Sequence, residues 1–184
     1  MQYIGLDLSL TGTGFYWLDD SGAAVRGEKL HVVQTGVERL FFLREKLRSL
    51  LDDLPDDTIF ACMESAAYHE VGRLYDLGQW AGIVMIELFE RGIPFISAAP
   101  LQLKKFISGA GKNAGKQTVI LDVYKNYGIE VRDDNIADAF VLSQIAFNYY
   151  QMYVLKDKLD IAAHQIDVLK KINKSESVAR NLIL

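Results

Sequence analysis

A carboxylate in the middle of an apolar first strand constrains this chain more than any other feature. In YIGLDLSLTGTGFYWLDD, Tyr3, Ile4, Leu6, Leu8 and Leu10 read as a strand that begins a sheet core, and Asp7 interrupts them. An ion buried there without compensation costs several kcal/mol, on the order of the desolvation of an unpaired charge. The strand must therefore bring Asp7 to a partner or to a site where negative charge is used. Gly12 and Gly14 follow at once, marking a tight turn into a second strand.

The pattern beyond that turn reads as a mixed α/β domain. Residues 2–9, FYWLD and 24–33 form a three-stranded meander, with Asp19-Asp20-Ser21-Gly22 as its second turn. From Gly36 to Asp52, Val37, Leu40, Phe41, Leu43, Leu47, Leu50 and Leu51 recur at helical spacing, and Pro55 closes the unit. TIFACMES (58–65) is a short apolar strand, 73–91 a helix stopped by Gly92, and IPFIS (93–97) a fifth strand. Pro100 opens a short helix through Phe106, and GAGKNAG is a loop. Helices are expected over 116–127, 134–151 and 153–172. The order implies a five-stranded sheet, its first three strands antiparallel, with helices on its faces.

Acidic residues recur where that architecture can gather them. Glu64 ends the fourth strand, and Asp138 lies in DDNIADAFVLSQIAF, where its helical neighbours are mostly apolar. Asn135 and Asp138 are spaced i, i+3 and Asp134 and Asp138 i, i+4, so either pair shares a helix face. Strands one and four can lie side by side, which would set Asp7 next to Glu64. Three carboxylates that meet repel one another unless a cation stands between them, and oxygen-only ligands favour Mg²⁺ or Mn²⁺. Taken singly, each acid also has an ordinary use: a turn cap for Asp7, a strand-end charge for Glu64, a lysine pair for Asp138.

Composition narrows the function classes. The net charge is −4, yet residues 101–125 carry Lys104, Lys105, Lys112, Lys116 and Lys125 against Asp122 alone. That segment can hold a polyanion such as DNA, or can be a solvated face. One cysteine, Cys62, and scattered His31, His69 and His164 disfavour a disulfide framework and a zinc site. No stretch reaches the ~20 apolar residues of a membrane span, and no secretion signal is seen, so a cytoplasmic protein is expected.

Four stretches, IGLDLSLTGTG, ACMESAA, AAPLQLKKFISGAGKNAGK and DDNIADAF, resemble the RuvC family of Holliday-junction resolvases, within the ribonuclease H-like and integrase-like nucleases. The resemblance covers residues 1–150 as a nuclease domain and leaves 151–184 as a C-terminal helical extension. The compact size and sparse basic elements look more like phage or viral members than the cellular enzyme. The resemblance implies metal-binding carboxylates at Asp7, Glu64 and Asp138, and basic residues near the scissile phosphate at Lys104 and Lys116. The family often has an acid where this chain has Asn135, whose amide oxygen can still ligate; Asp134 is an alternative.

The implied activity is structure-selective cleavage of four-way or other branched DNA, leaving 5′-phosphate nicks. Two Mg²⁺ ions about 4 Å apart would activate water and stabilise the leaving oxygen. Asp7 would bridge them, Glu64 would hold one, and Asp138 with Asn135 or Asp134 the other. Lys116, at a helix start, would meet charge on the phosphate. Two strands must be cut, so a two-fold homodimer is expected, with Leu74, Leu77, Ile83 and Val84 making a helix apolar enough for the seam. Tyr68, near Tyr75 and Trp80, can stack on an unpaired base or belong to core or dimer contact. Two rivals remain. GLDLSLTGTG also resembles the first phosphate loop of sugar-kinase and actin-like ATPases, which need a second such domain. A non-catalytic branched-DNA-binding protein would account for Asn135.

Overall fold

Strand pairing brings the carboxyl ends of two central strands to one edge of the structure. The computed structural model describes residues 1–55, 59–65, 71–109 and 116–172, side chains at 71–74 and 116–118 excepted. Its strands are β1 (Gln2–Asp7), β2 (Thr13–Leu18), β3 (Ala24–Leu30), β4 (Ile59–Glu64) and β5 (Phe95–Ala98). They form one sheet in the order β3-β2-β1-β4-β5. As the turn signals predict, β1–β2 and β2–β3 are antiparallel; β1–β4 and β4–β5 are parallel.

Helices cover both faces. Alternation along β1 sends Ile4 and Leu6 to one side, where α1 (Gly36–Asp52) and α2 (Val71–Glu90) supply Leu43, Leu47, Trp80, Val84 and Leu88. The opposite side carries Tyr3, Phe60, Cys62 and Ile96, packed beneath α5 (Asp134–Tyr150) with α3 (Pro100–Ser108) and α4 (Lys116–Tyr127). Each large apolar side chain fully withdrawn from water contributes about 1.5–3 kcal/mol. Between α1 and α2, Glu87 is 1% exposed and accepts from Arg44 and, at 2.9 Å, from Arg48.

The helix predicted over 153–172 is not continuous. The end of α5 widens into a π-turn over Gln151–Leu155, Lys156 takes a left-handed backbone (φ 59°), and α6 begins only at Ala163. Gln165 accepts from the Ala162 N–H at 3.1 Å and closes the new start. Periodicity missed this break because Val168, Leu169 and Ile172 resume the apolar stripe, and they sit in the same core cluster as α3 and α5.

Helix α5 crosses the sheet at unusually short range. A Cβ on Gly5 would lie 1.9 Å from the Ala139 carbonyl oxygen, and one on Gly14 would lie 2.0 Å from that of Asn135. Only glycine permits that approach. Gly14→Ala should push the first half of α5 off the sheet and destabilise the protein by about 2 kcal/mol or more, read as a lower urea midpoint.

Candidate active site

The site is built from strand ends and a helix laid across them. The β1–β4 register runs to Leu6 opposite Met63, so Asp7 and Glu64 take the next step together. Alternation turns both toward the face that α5 covers, since Tyr3 and Phe60, an even number of residues earlier, pack there. Asp7 is only 6% exposed. It is hydrogen-bonded to Glu64, and the charges of Asp138 and Lys104 both act on Glu64. Asp138 turns one oxygen, Oδ1, wholly away from solvent.

Glu64 shows what this gathering costs electrostatically. Burial holds its carboxyl above the ordinary range; the bond to Asp7 and the charge of Lys104 pull it back, and the charge of Asp138 pushes it further up. A hydrogen bond between two carboxyl groups requires a proton on one of them. Among the described residues, no three His, Cys, Asp or Glu side chains stand close enough together to hold an ion as they are. Asp7 and Glu64 meet through a hydrogen bond, and the charge of Asp138 acts on Glu64. The donors are carboxylates with an amide at Asn135, which suits a hard divalent cation. Cys62 does not compete: burial, with the charge of Glu64, drives its thiol far up and keeps it protonated.

The predicted residues divide clearly. Asp7, Glu64, Asp138 and Lys104 come together. Asn135 and Asp134 occupy the first turn of α5, half-buried, with the Asn135 carbonyl against Gly14. Lys105 instead reaches Asp167 of α6 at 3.5 Å. Lys116 opens α4, though its side chain lies outside the description; Tyr68 and Lys112 lie outside the described residues altogether. Trp80 is core: fully buried, it donates from Nε1 to Thr13 Oγ1 at 2.9 Å. Thr13 in turn donates to the Ser9 carbonyl at 2.7 Å, which pins the turn that leaves Asp7.

Asp133 is a residue that sequence reasoning passed over. Its side chain caps α5 by accepting from the N–H groups of Asn135 (2.9 Å) and Ile136 (3.3 Å). Partial burial works against its charge, but the bond from Lys29 and these two N–H groups outweigh it and hold the carboxyl below the ordinary range. An aspartate just before an apolar helix was the signal available.

Known proteins share both the sequence pattern and the fold. The sequence profile of the crossover junction endodeoxyribonuclease RuvC matches residues 3–145. The chain belongs to the RuvC family. Family membership places it among the crossover junction endodeoxyribonucleases. The RuvC of Thermus thermophilus is 27% identical over 167 residues, spanning 85% of this chain and 99% of that one. The RuvC of Gloeobacter violaceus is 26% identical over 152 residues, with 78% and 86% covered. The Thermus thermophilus RuvC structure superposes with a TM-score of 0.67 at 25% identity, covering 83% of this chain and 96% of that one. The same organism's RuvC in complex with Holliday junction substrate gives a TM-score of 0.64 at 22% identity, with 78% and 90% covered, and shows the same fold. Among the described residues no helix is long and apolar enough to cross a membrane.

The strained carboxyl cluster has a measurable signature in the metal-free protein. Glu64 is an acid whose folded value is raised. It removes stability as pH rises past the ordinary carboxylate range, and removes none below it, where it is protonated folded or unfolded. Glu64→Gln should therefore melt higher than the parent at pH 8 in EDTA, with the gap closing as pH falls below that range.

Proposed function

We propose that this chain resolves four-way DNA junctions, and related branched DNA, by paired phosphodiester hydrolysis that leaves 5′-phosphate ends. The observation that carries the reading is the meeting of Asp7, Glu64, Asp138 and Lys104 where β1, β4, α5 and α3 converge, in a chain of the RuvC family. A neighbour of the same fold has been captured with Holliday junction substrate. Asp7, Glu64 and Asp138, with Asn135 or Asp134, would hold Mg²⁺ or Mn²⁺, and two ions suit the reading best. When bound there, such ions would supply activation of the attacking water and charge neutralisation at the leaving 3′ oxygen.

The protein's own groups do the rest. Asp7 and Glu64 leave the ends of adjacent strands, so the sheet register sets where their backbones stand and brings both carboxyl groups to the same place. Asp138 closes the site from above on a helix whose position is dictated by the sheet. Lys104 places a cation beside Glu64, where it can meet a phosphate oxygen. Lys116, at the start of α4, and Lys112 before it are assigned to the DNA backbone, where neutralised phosphates make binding salt-dependent. Tyr68 is assigned to the crossover, for stacking on an unpaired base. Lys105, held toward α6, makes the weaker contribution of the basic set.

A second copy of the chain supplies the second cut. The seam differs from the one the sequence pattern favoured. Val84 is buried in the core, and Leu77 and Ile83 pack against it. The outward face of α2 instead carries Tyr75, Met85, Ile86 and Phe89, the last 73% exposed, with Gly78 and Gly82 between them. The spacing of these residues follows one helical stripe, so two such faces can pack about a two-fold axis.

Two measurements test the reading. With a four-way junction and Mg²⁺, the parent should nick opposing strands, and Asp7→Asn should abolish cutting while junction affinity stays within about threefold, because ligand removal spares the backbone contacts. Nucleotide turnover without cutting would indicate the ATPase alternative, and a shifted but uncut junction the binding protein. Phe89→Glu should convert a dimer to a monomer in sedimentation and leave uncoupled single nicks; a dimer that persists would move the seam elsewhere.

A further inference from the structure

We infer that Lys29 is a positioning residue for the metal-binding acids, acting through Asp133 to lock the first turn of α5 over the sheet. The inference rests on the metal reading of the site. Its basis is a row of residues across three strands. Asp7 is the register partner of Gly14 on β2, and Gly14 is the partner of Lys29 on β3. Residues directly opposite in antiparallel pairs share a face, so Asp7 and Lys29 flank Gly14 on the side covered by α5. The helix meets all three positions. Its cap Asp133 takes a 2.7 Å bond from Lys29 Nζ, Asn135 sits against Gly14, and Asp138 acts on Glu64 beside Asp7.

Both oxygens of Asp133 are committed. Oδ1 accepts the N–H groups of Asn135 and Ile136, while Oδ2 accepts Lys29. The stem of Lys29 also crosses the turn that follows β1, since a Cβ on Gly12 would come within 2.1 Å of its Cε. One side chain thus joins β3, the Gly12 turn and the start of α5. The first four N–H groups of a helix have no partner within it, and a first turn left loose frays. Here that turn bears Asn135 and Asp134 and leads directly to Asp138. The ion pair and the cap together commit Asp133 and keep it out of the ligand set.

Charge and position are separated by the choice of variants. Lys29→Met alone would leave Asp133 as an extra negative charge, which by itself attracts a cation. The double variant Lys29→Met with Asp133→Asn keeps the net charge of the parent and a competent helix cap, and removes only the tether. Mn²⁺ binding by the metal-free full chain, followed by calorimetry and by the electron paramagnetic resonance signal of free Mn²⁺, should weaken about threefold to tenfold in the double variant, near the lower end for groups that orient ligands. Lys29→Arg should restore parent affinity. The melting temperature of the double variant in EDTA should stay close to the parent's, because a half-exposed pair contributes little stability. Cleavage of a four-way junction should need correspondingly more Mn²⁺ yet reach the parent rate at saturation. A double variant that binds Mn²⁺ like the parent overturns the inference and leaves the site intact. A parent that binds no Mn²⁺, or an Asp7→Asn variant that binds it unchanged, overturns the metal reading and the inference with it.

Discussion

The close passage of α5 over the sheet is the constraint on which everything else depends. Carboxylates on β1 and β4 face a helix, and only a backbone stripped of side chains at Gly5 and Gly14 lets that helix come near enough for Asp138 to act on Glu64. The apolar side chains of α5, among them Ala137, Phe140 and Val141, then hold it there. Their burial offsets a cost that would otherwise drive the two elements apart, since like charges in a poorly hydrated place repel strongly.

That cost is visible in the distribution of partners. Several acids elsewhere in the fold are matched by cations: Glu87 by Arg44 and Arg48, Asp52 by Arg91, Asp133 by Lys29. At the site, by contrast, acid meets acid, with Lys104 the compensating cation that acts on Glu64. Acids thus gather at one strand end, where a divalent cation would offset their mutual repulsion. The proposed metal-assisted hydrolysis would draw on these carboxylates.

Much of this was legible in the chain. Alternating apolar residues and turn glycines marked β1 to β3, and helical spacing marked α1 and α5 close to their actual limits. Asp7 stood out because charge inside an apolar strand needs a reason. Other features were hidden. The break after Leu155 was masked by an apolar stripe that resumes at Val168, because periodicity records spacing but not whether the backbone between stays helical. The face of α2 that stays exposed was misjudged: Val84 and Ile86 are equally apolar, and only the direction of the helix relative to the sheet decides which one enters the core. Lys105 and Lys104 are adjacent and chemically identical, yet one acts on Glu64 and the other reaches Asp167.

The sequence by itself determined the local matters: which segments become strands and helices, that Asp7 and Glu64 end theirs, and that hard oxygen ligands were on offer. Such properties depend on neighbours a few residues away. Only the tertiary structure decided that β1 pairs with β4 in register, that Gly14 makes room for Asn135, and that Lys29 and Asp133, 104 positions apart, share a bond. Those outcomes depend on how sheet and helix pack as whole bodies, and no local pattern along the chain encodes the distance between them.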